Sequence, residues 1–226
     1  VFHHFDPIIG YLTKIREKFS KSFFPIIGIT HTVSTLTIHE GCYVNINPSL
    51  SKRDSILCTS SAGKKAFNRI LNGKEECYQG RLDIIPLAIE PEDYKNINKT
   101  KSREKLNFSN KDKIILSLGR LSIYDKMDLT PFFEVFLRLS EKNNDLKWII
   151  AGSARYSDSL NLYKKLRADF GLDDKILFFT NFNDQEKLDL LASSDIFFSP
   201  SDNLQETFGV SILEAMASGL PVLASD

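Results

Sequence analysis

The chain has 226 residues, 42% of them hydrophobic, and Lys+Arg 29 balance Asp+Glu 29 to a formal net charge of zero. At about 150 residues per domain this is one large domain or two small ones, and the zero charge removes the electrostatic case for a nucleic-acid or anionic-membrane binder, so a small or neutral partner is expected. No apolar run reaches the ~20 residues of a membrane span, and the N-terminus lacks a basic region followed by an apolar stretch, which makes a cytoplasmic protein the expectation.

In chain order, Pro7 to Ser20 has helical period, Phe24 to Thr30 and Ser55 to Thr59 read as strands, and Ser61 to Leu71 is a helix ending at Asn72-Gly73. Leu82 to Pro86 follows as a short strand. His3 and His4 are adjacent, so their side chains diverge, and a structural role is expected rather than a metal site. Cys42, Cys58 and Cys77 are odd in number and form no C-x-x-C, so reduced thiols are expected, with Cys58 buried in its apolar strand. Glu90 to Asp112 is polar, rich in Lys and Asn, and almost without apolar periodicity, which reads as a linker between domains.

From Lys111 onward, apolar runs alternate with helical segments, the pattern of parallel strands joined by crossover helices. Strands are expected at Lys113 to Gly119, Leu146 to Ala151, Lys175 to Thr180, Asp195 to Ser199 and Leu220 to Ala224. Helices are expected at Leu129 to Lys142, with Pro131 in the first turn, at Ser157 to Phe170 closed by Gly171, at Asp184 to Ala192, and at Gly209 to Ser218. This is a doubly wound βα array. The expected division is therefore 1–90 for a first lobe, 91–112 for a linker and 113–226 for a second lobe. The chain begins at Val1 and ends at Asp226 directly after an apolar strand, so both lobes are expected to be incomplete pieces of a longer parent.

The most informative stretch runs from Ser199 to Ser225. A strand ends at Pro200, a polar loop follows, and a helix opens near Gly209, with Glu206 just before it and Glu214 in its second turn. The N–H groups of Thr207, Phe208 and Gly209 at a helix N-terminus favour an anion, at the carboxyl end of a strand where open α/β sheets bind ligands. A capped surface helix accounts for either Glu alone, but not for the whole run. Pro200-Ser201, Glu206-Thr207-Phe208-Gly209, Leu213-Glu214-Ala215-Met216-Ala217 and Gly219-Leu220-Pro221-Val222 resemble the E-x7-E signature of the retaining GT-B glycosyltransferases. These are the group 1 or family 4 transferases related to sucrose-phosphate and glycogen synthases. Leu118-Gly119-Arg120-Leu121 followed by Lys126, Trp148 to Gly152, and Asn181-Phe182 match the same family, although the Arg120 to Lys126 spacing is one residue longer than in most of it.

The resemblance implies an α/β fold of GT-B type, with two Rossmann-like doubly wound parallel-sheet lobes and a cleft between them. It implies a metal-independent, retaining transfer of a sugar from a nucleotide-sugar donor to a carbohydrate, lipid-linked or small-molecule acceptor, with no cofactor. Residue by residue, Arg120 and Lys126 would hold the donor diphosphate, and Glu206 would bind donor-sugar hydroxyls. Glu214 would hold the ribose, the amides of Thr207, Phe208 and Gly209 would line the sugar-phosphate, Gly119 would be donor-binding, Gly152 would lie under the nucleotide, and Asn181 and Phe182 would meet the base. Phe24 to Thr32 resembles the strand after which relatives carry a His facing the cleft, so His31 either contacts the donor sugar or stabilises the developing oxocarbenium through its surroundings, or else is satisfied by Thr30 and Thr32. No carboxylate is assigned as nucleophile, and a front-face ion-pair route is equally consistent. The sequence contains no D-x-D that would hold Mn²⁺ or Mg²⁺, and no G-x-G-x-x-G of a dinucleotide oxidoreductase. A non-catalytic nucleotide-sugar or carbohydrate binding module is the alternative; the intact Glu206 argues against it. The 226-residue chain alone is expected to bind a nucleoside diphosphate weakly and to transfer no sugar.

Overall fold

The apolar runs become strands that pair in parallel in both halves of the chain, as alternation with helices requires. The computed structural model describes residues 1–226 apart from 32–35, 47, 72–76, 96, 125, 155–156, 202–207 and 226, and backbone alone at 36, 37, 39 and 157. Two units separate, one of Val1–Ala88 with Leu204–Phe208 and one of Ile89–Asn203 with Gly209–Asp226.

The first unit runs β1 (Phe2–His3), α1 (Gly10–Phe19), β2 (Ile26–Ile29), α2 (Leu36–Cys42), a 3-10 turn (Tyr43–Asn45), β3 (Ser55–Cys58), α3 (Ser61–Leu71) and β4 (Arg81–Ile84). Its sheet has the order β1-β2-β3-β4. Ile26, Ile56 and Cys58 of the strands pack with Ile9, Phe67 and Leu71 in one apolar cluster. Helix α1 starts later than its period suggests because Asn45 takes over its N-terminus. The fully buried Asn45 accepts from the N–H of Ile9 (2.9 Å) and Gly10 (2.7 Å) and donates to the Pro7 carbonyl (2.7 Å). Burial pushes the Cys58 thiol up to about 11 and the Cys42 thiol to about 12, so both stay protonated and inert, as buried structural thiols do.

The second unit opens with α4 (Glu92–Lys95) and α5 (Lys99–Lys105), and β5 (Lys113–Leu118), α6 (Thr130–Lys142), β6 (Leu146–Ala151), α7 (Ser157–Asp169) and β7 (Ile176–Phe179) come next. They are followed by α8 (Asp184–Ser193), β8 (Ile196–Ser199), α9 (Val210–Ala217) and β9 (Val222–Ala224). The sheet order is β7-β6-β5-β8-β9, so the chain winds outward from β5 in one direction, returns, and continues from β8 in the other. Successive strand residues point to opposite faces, and both faces are covered. Ile114, Leu116, Ile149 and Ala151 join Leu190, Leu191 and Ala215 in one cluster. Trp148, Ile150 and Ile176 join Phe133, Phe136 and Tyr163 in the other. Helix α8 opens on a capping box, the Asn183 side chain taking the Glu186 N–H and the Glu186 carboxylate taking the Asn183 N–H.

The segment 91–112, expected as a linker, contains α4 (Glu92–Lys95) and α5 (Lys99–Lys105) and lies within the second unit. Polar contacts hold it there. The buried Arg103 donates to the Ser193 carbonyl (2.9 Å) and to Asp195 (2.8 Å), Lys99 pairs with Asp195 (2.6 Å), and Ser102 donates to Asp189 (2.6 Å). Asn98 caps α5, its side chain accepting from the Lys101 N–H at 3.0 Å. Among the described residues no helix is long and apolar enough to cross a membrane.

Candidate functional site

The winding order determines where a ligand can lie. β5 and β8 are neighbours, yet the chain leaves their carboxyl ends in opposite directions, which opens a crevice at that edge of the sheet. Most of the residues singled out from sequence emerge along this edge: Gly119 and Arg120 after β5, Gly152 after β6, Asn181 and Phe182 after β7, and Gly209 opening α9 after β8. Arg120 and Asn181 are exposed, whereas Phe182 is partly buried against the second unit's core.

The ends of β5, β6 and β7 are laced together beyond their ladders. Gly119 N–H donates to the Ala151 carbonyl (3.0 Å), Leu121 N–H to that of Ser153 (2.9 Å), and Gly152 N–H to that of Phe179 (2.8 Å). A β-carbon on Gly152 would stand 1.5 Å from the Gly119 carbonyl oxygen, so only glycine lets β5 and β6 end this close. Gly152→Ala is expected to cost about 1–3 kcal/mol of second-unit stability through forced separation of the two ends. Urea unfolding followed at Trp148 measures it, and an unchanged midpoint would reject the close-approach account.

Lys126 returns to the same place. Its side chain passes over Gly119, with Cε 3.2 Å from where a β-carbon would be, and its carbonyl accepts from the Ser201 hydroxyl at 3.3 Å. Two cationic side chains thus leave from the end of β5. Glu206 and Thr207 lie outside the described residues. Phe208 is half-buried and directly precedes Gly209, which is buried with φ 82°. That left-handed conformation turns the chain into α9 at a position where a β-carbon would be strained. The first-turn N–H groups of α9 carry the positive end of its dipole.

Glu214, one turn further along α9, is 12% exposed. Its Oε1 accepts from the Tyr94 hydroxyl and from Lys187 Nζ, both at 2.9 Å. Burial, and then the hydrogen bond to Glu214, pushes the Tyr94 phenol up to about 12, so it remains a donor at neutral pH. Sequence reasoning reached Glu214 but neither partner, because Tyr94 is 120 residues away in the presumed linker and Lys187 sits on an ordinary helix. In the first unit, His31 follows β2 and is exposed. The Thr30 hydroxyl beside it donates to the Leu57 carbonyl (3.4 Å) and accepts from the Thr59 N–H (3.3 Å). Among the described residues no three His, Cys, Asp or Glu side chains converge as metal ligands.

Comparison with known proteins gives this arrangement its context. A family model described as glycosyl transferases group 1 matches residues 98–226. The alpha-monoglucosyldiacylglycerol synthase of Streptococcus pneumoniae is 31% identical over 147 residues, 62% of this chain and 32% of that protein. The D-inositol 3-phosphate glycosyltransferase of Nocardia farcinica is 23% identical over 235 residues, 96% of this chain and 49% of that protein. The crystal structure of Anabaena HepE in complex with UDP-glucose superposes with a TM-score of 0.77 at 19% identity, over 98% of this chain and 58% of that one. That likeness gives the two parallel-sheet units the GT-B type of fold. The chain spans about half the length, or less, of these curated relatives.

Proposed function

The chain belongs to the group 1 glycosyl transferases, and from that premise we propose that the protein moves a glycosyl group from a nucleotide-sugar donor to an acceptor, with retention at the anomeric carbon and without a metal. One observation carries the reading: Arg120 and Lys126 leave the end of β5 while α9 opens after β8, the neighbouring strand across the switch in winding. As the bond from the anomeric carbon to the diphosphate breaks, its electron pair stays on the phosphate oxygen. A guanidinium, an ammonium and a helix N-terminus are groups suited to stabilising that charge.

In this reading Glu206 binds the donor sugar near the reacting carbon, and Glu214 binds the remote ribose. Gly119 borders the donor, Gly152 lies under the nucleotide, and Asn181 and Phe182 meet the base. The acceptor is a carbohydrate, a lipid-linked sugar or a small molecule. UDP-glucose, which HepE holds in its complex, is the first donor to try.

The test is sugar transfer from a panel of nucleotide sugars, with product anomers assigned by NMR. Activity is expected to survive EDTA; loss with recovery on Mn²⁺ would overturn the metal-free route. Glu206→Gln is expected to lower kcat about ten- to hundredfold, whereas Glu214→Ala raises donor KM about tenfold with a smaller change in kcat. Equal kcat losses with unchanged KM in both variants would contradict the division of roles.

A further inference from the structure

Three elements distant in sequence meet at one carboxylate oxygen. Tyr94 is on α4, Lys187 on α8 and Glu214 on α9, and both donors reach the same atom, Oε1, at 2.9 Å. Among the described residues, Oε2 accepts no hydrogen bond. A glutamate has three side-chain torsions, and ordering a long polar side chain costs rotamer entropy, so an unsupported Glu214 would present its oxygens in many directions. Two donors from different helices leave it one orientation. Each donor is itself held, because the Tyr94 ring packs against the second unit's core and Lys187 is only 25% exposed. The ion pair is therefore better shielded from water than a surface pair, where Coulomb attraction is largely screened.

We infer that Tyr94 and Lys187 are positioning residues for Glu214, fixing its carboxylate so that Oε2 faces the ribose hydroxyls of a bound nucleotide. The inference rests on the function proposed above, and it goes further in naming what prepares the ribose site before a ligand arrives. Preorganisation of this kind raises affinity by removing an ordering cost from the binding step. A purely structural role, tying α4 and α8 to α9, would affect all ligands alike. The ribose role makes the effect depend on the ribose hydroxyls.

The experiment is calorimetric binding of UDP, GDP and ADP, each beside its 2′,3′-dideoxy counterpart, to the protein and to Tyr94→Phe, Lys187→Met and Lys187→Arg. The unaltered protein is expected to prefer the ribose form of its cognate nucleotide by about tenfold or more. Tyr94→Phe and Lys187→Met are each expected to shrink that preference severalfold, chiefly by weakening the ribose form, while Lys187→Arg keeps most of it. Tyr94→Phe retains the packed ring, and an unchanged thermal midpoint separates its effect from misfolding. If the unaltered protein shows the preference and both variants keep it, the inference falls and the functional reading stands. If the unaltered protein binds none of the three diphosphates, the functional reading falls and takes the inference with it.

Discussion

Asp54→Ala is expected to destabilise the first unit by about 3–5 kcal/mol, the cost of breaking a buried ion pair and leaving one charge without its partner. Asp54 is fully buried and Arg16 nearly so; the guanidinium donates to both carboxylate oxygens, at 2.6 and 3.0 Å. Asp54 also accepts from the N–H groups of Ile26 (2.9 Å) and Ser51 (3.0 Å), and Arg16 donates to the carbonyls of Phe24 (2.7 Å) and Ser49 (3.0 Å). One carboxylate thus joins α1 to the starts of β2 and β3. Burial alone would raise its pKa, but Arg16 and the two N–H donors outweigh that and hold it below the ordinary carboxylate value. A group lowered in this way contributes its stability above the unfolded pKa, about 3.9, and loses it as pH falls through the lower folded value. Urea titrations followed by far-ultraviolet circular dichroism at pH 7 and across the acid range measure both effects. A loss below about 1 kcal/mol at pH 7, or an unaltered acid dependence in the variant, would show that the pair does not carry the unit. Replacing both partners, Arg16→Met with Asp54→Leu, is expected to recover much of the loss, since neither charge is then stranded.

Arg120→Ala and Lys126→Ala are each expected to weaken binding of a nucleoside diphosphate by about 1.5–3 kcal/mol, the range for hydrogen bonds to charged groups. The motive is positional: both cations emerge at the end of β5, and Lys126 is laid over Gly119. Arg120→Lys is expected to recover only part of the loss, because an ammonium cannot reproduce the two-pronged contact of a guanidinium with phosphate. Calorimetry of UDP, GDP and ADP decides, with unchanged affinity in both alanine variants rejecting the assignment.

The strands of the second unit were legible because a parallel strand buried on both faces needs a short unbroken apolar run, and Ile114–Leu116 and Trp148–Ala151 are such runs. The grouping of the candidate site residues at one edge was legible for a related reason. Once strand ends are located, a doubly wound order places them on one edge, so Gly119, Gly152 and Asn181 could be grouped before any distance was known. Helices α4 and α5 were not legible. They are short, and α5 is held by Ser102 and Arg103, whose partners Asp189, Ser193 and Asp195 lie 87 to 92 residues away, so no apolar period marks them. Strand β1 was missed because two residues make no pattern.

By itself, the amino-acid sequence determined the local elements from residue 113 onward and the residue types at the strand ends. Helical and extended periods arise from sterics and burial acting over a few residues, and each segment carries that information within itself. Tertiary structure alone decided that Asn45 caps α1, that 91–112 joins the second unit, and that Tyr94 and Lys187 converge on Glu214. A polar side chain satisfies its bonding capacity with whatever the packed chain brings within about 3 Å, and over separations of 27 to 120 residues the packing of the apolar cores selects that partner.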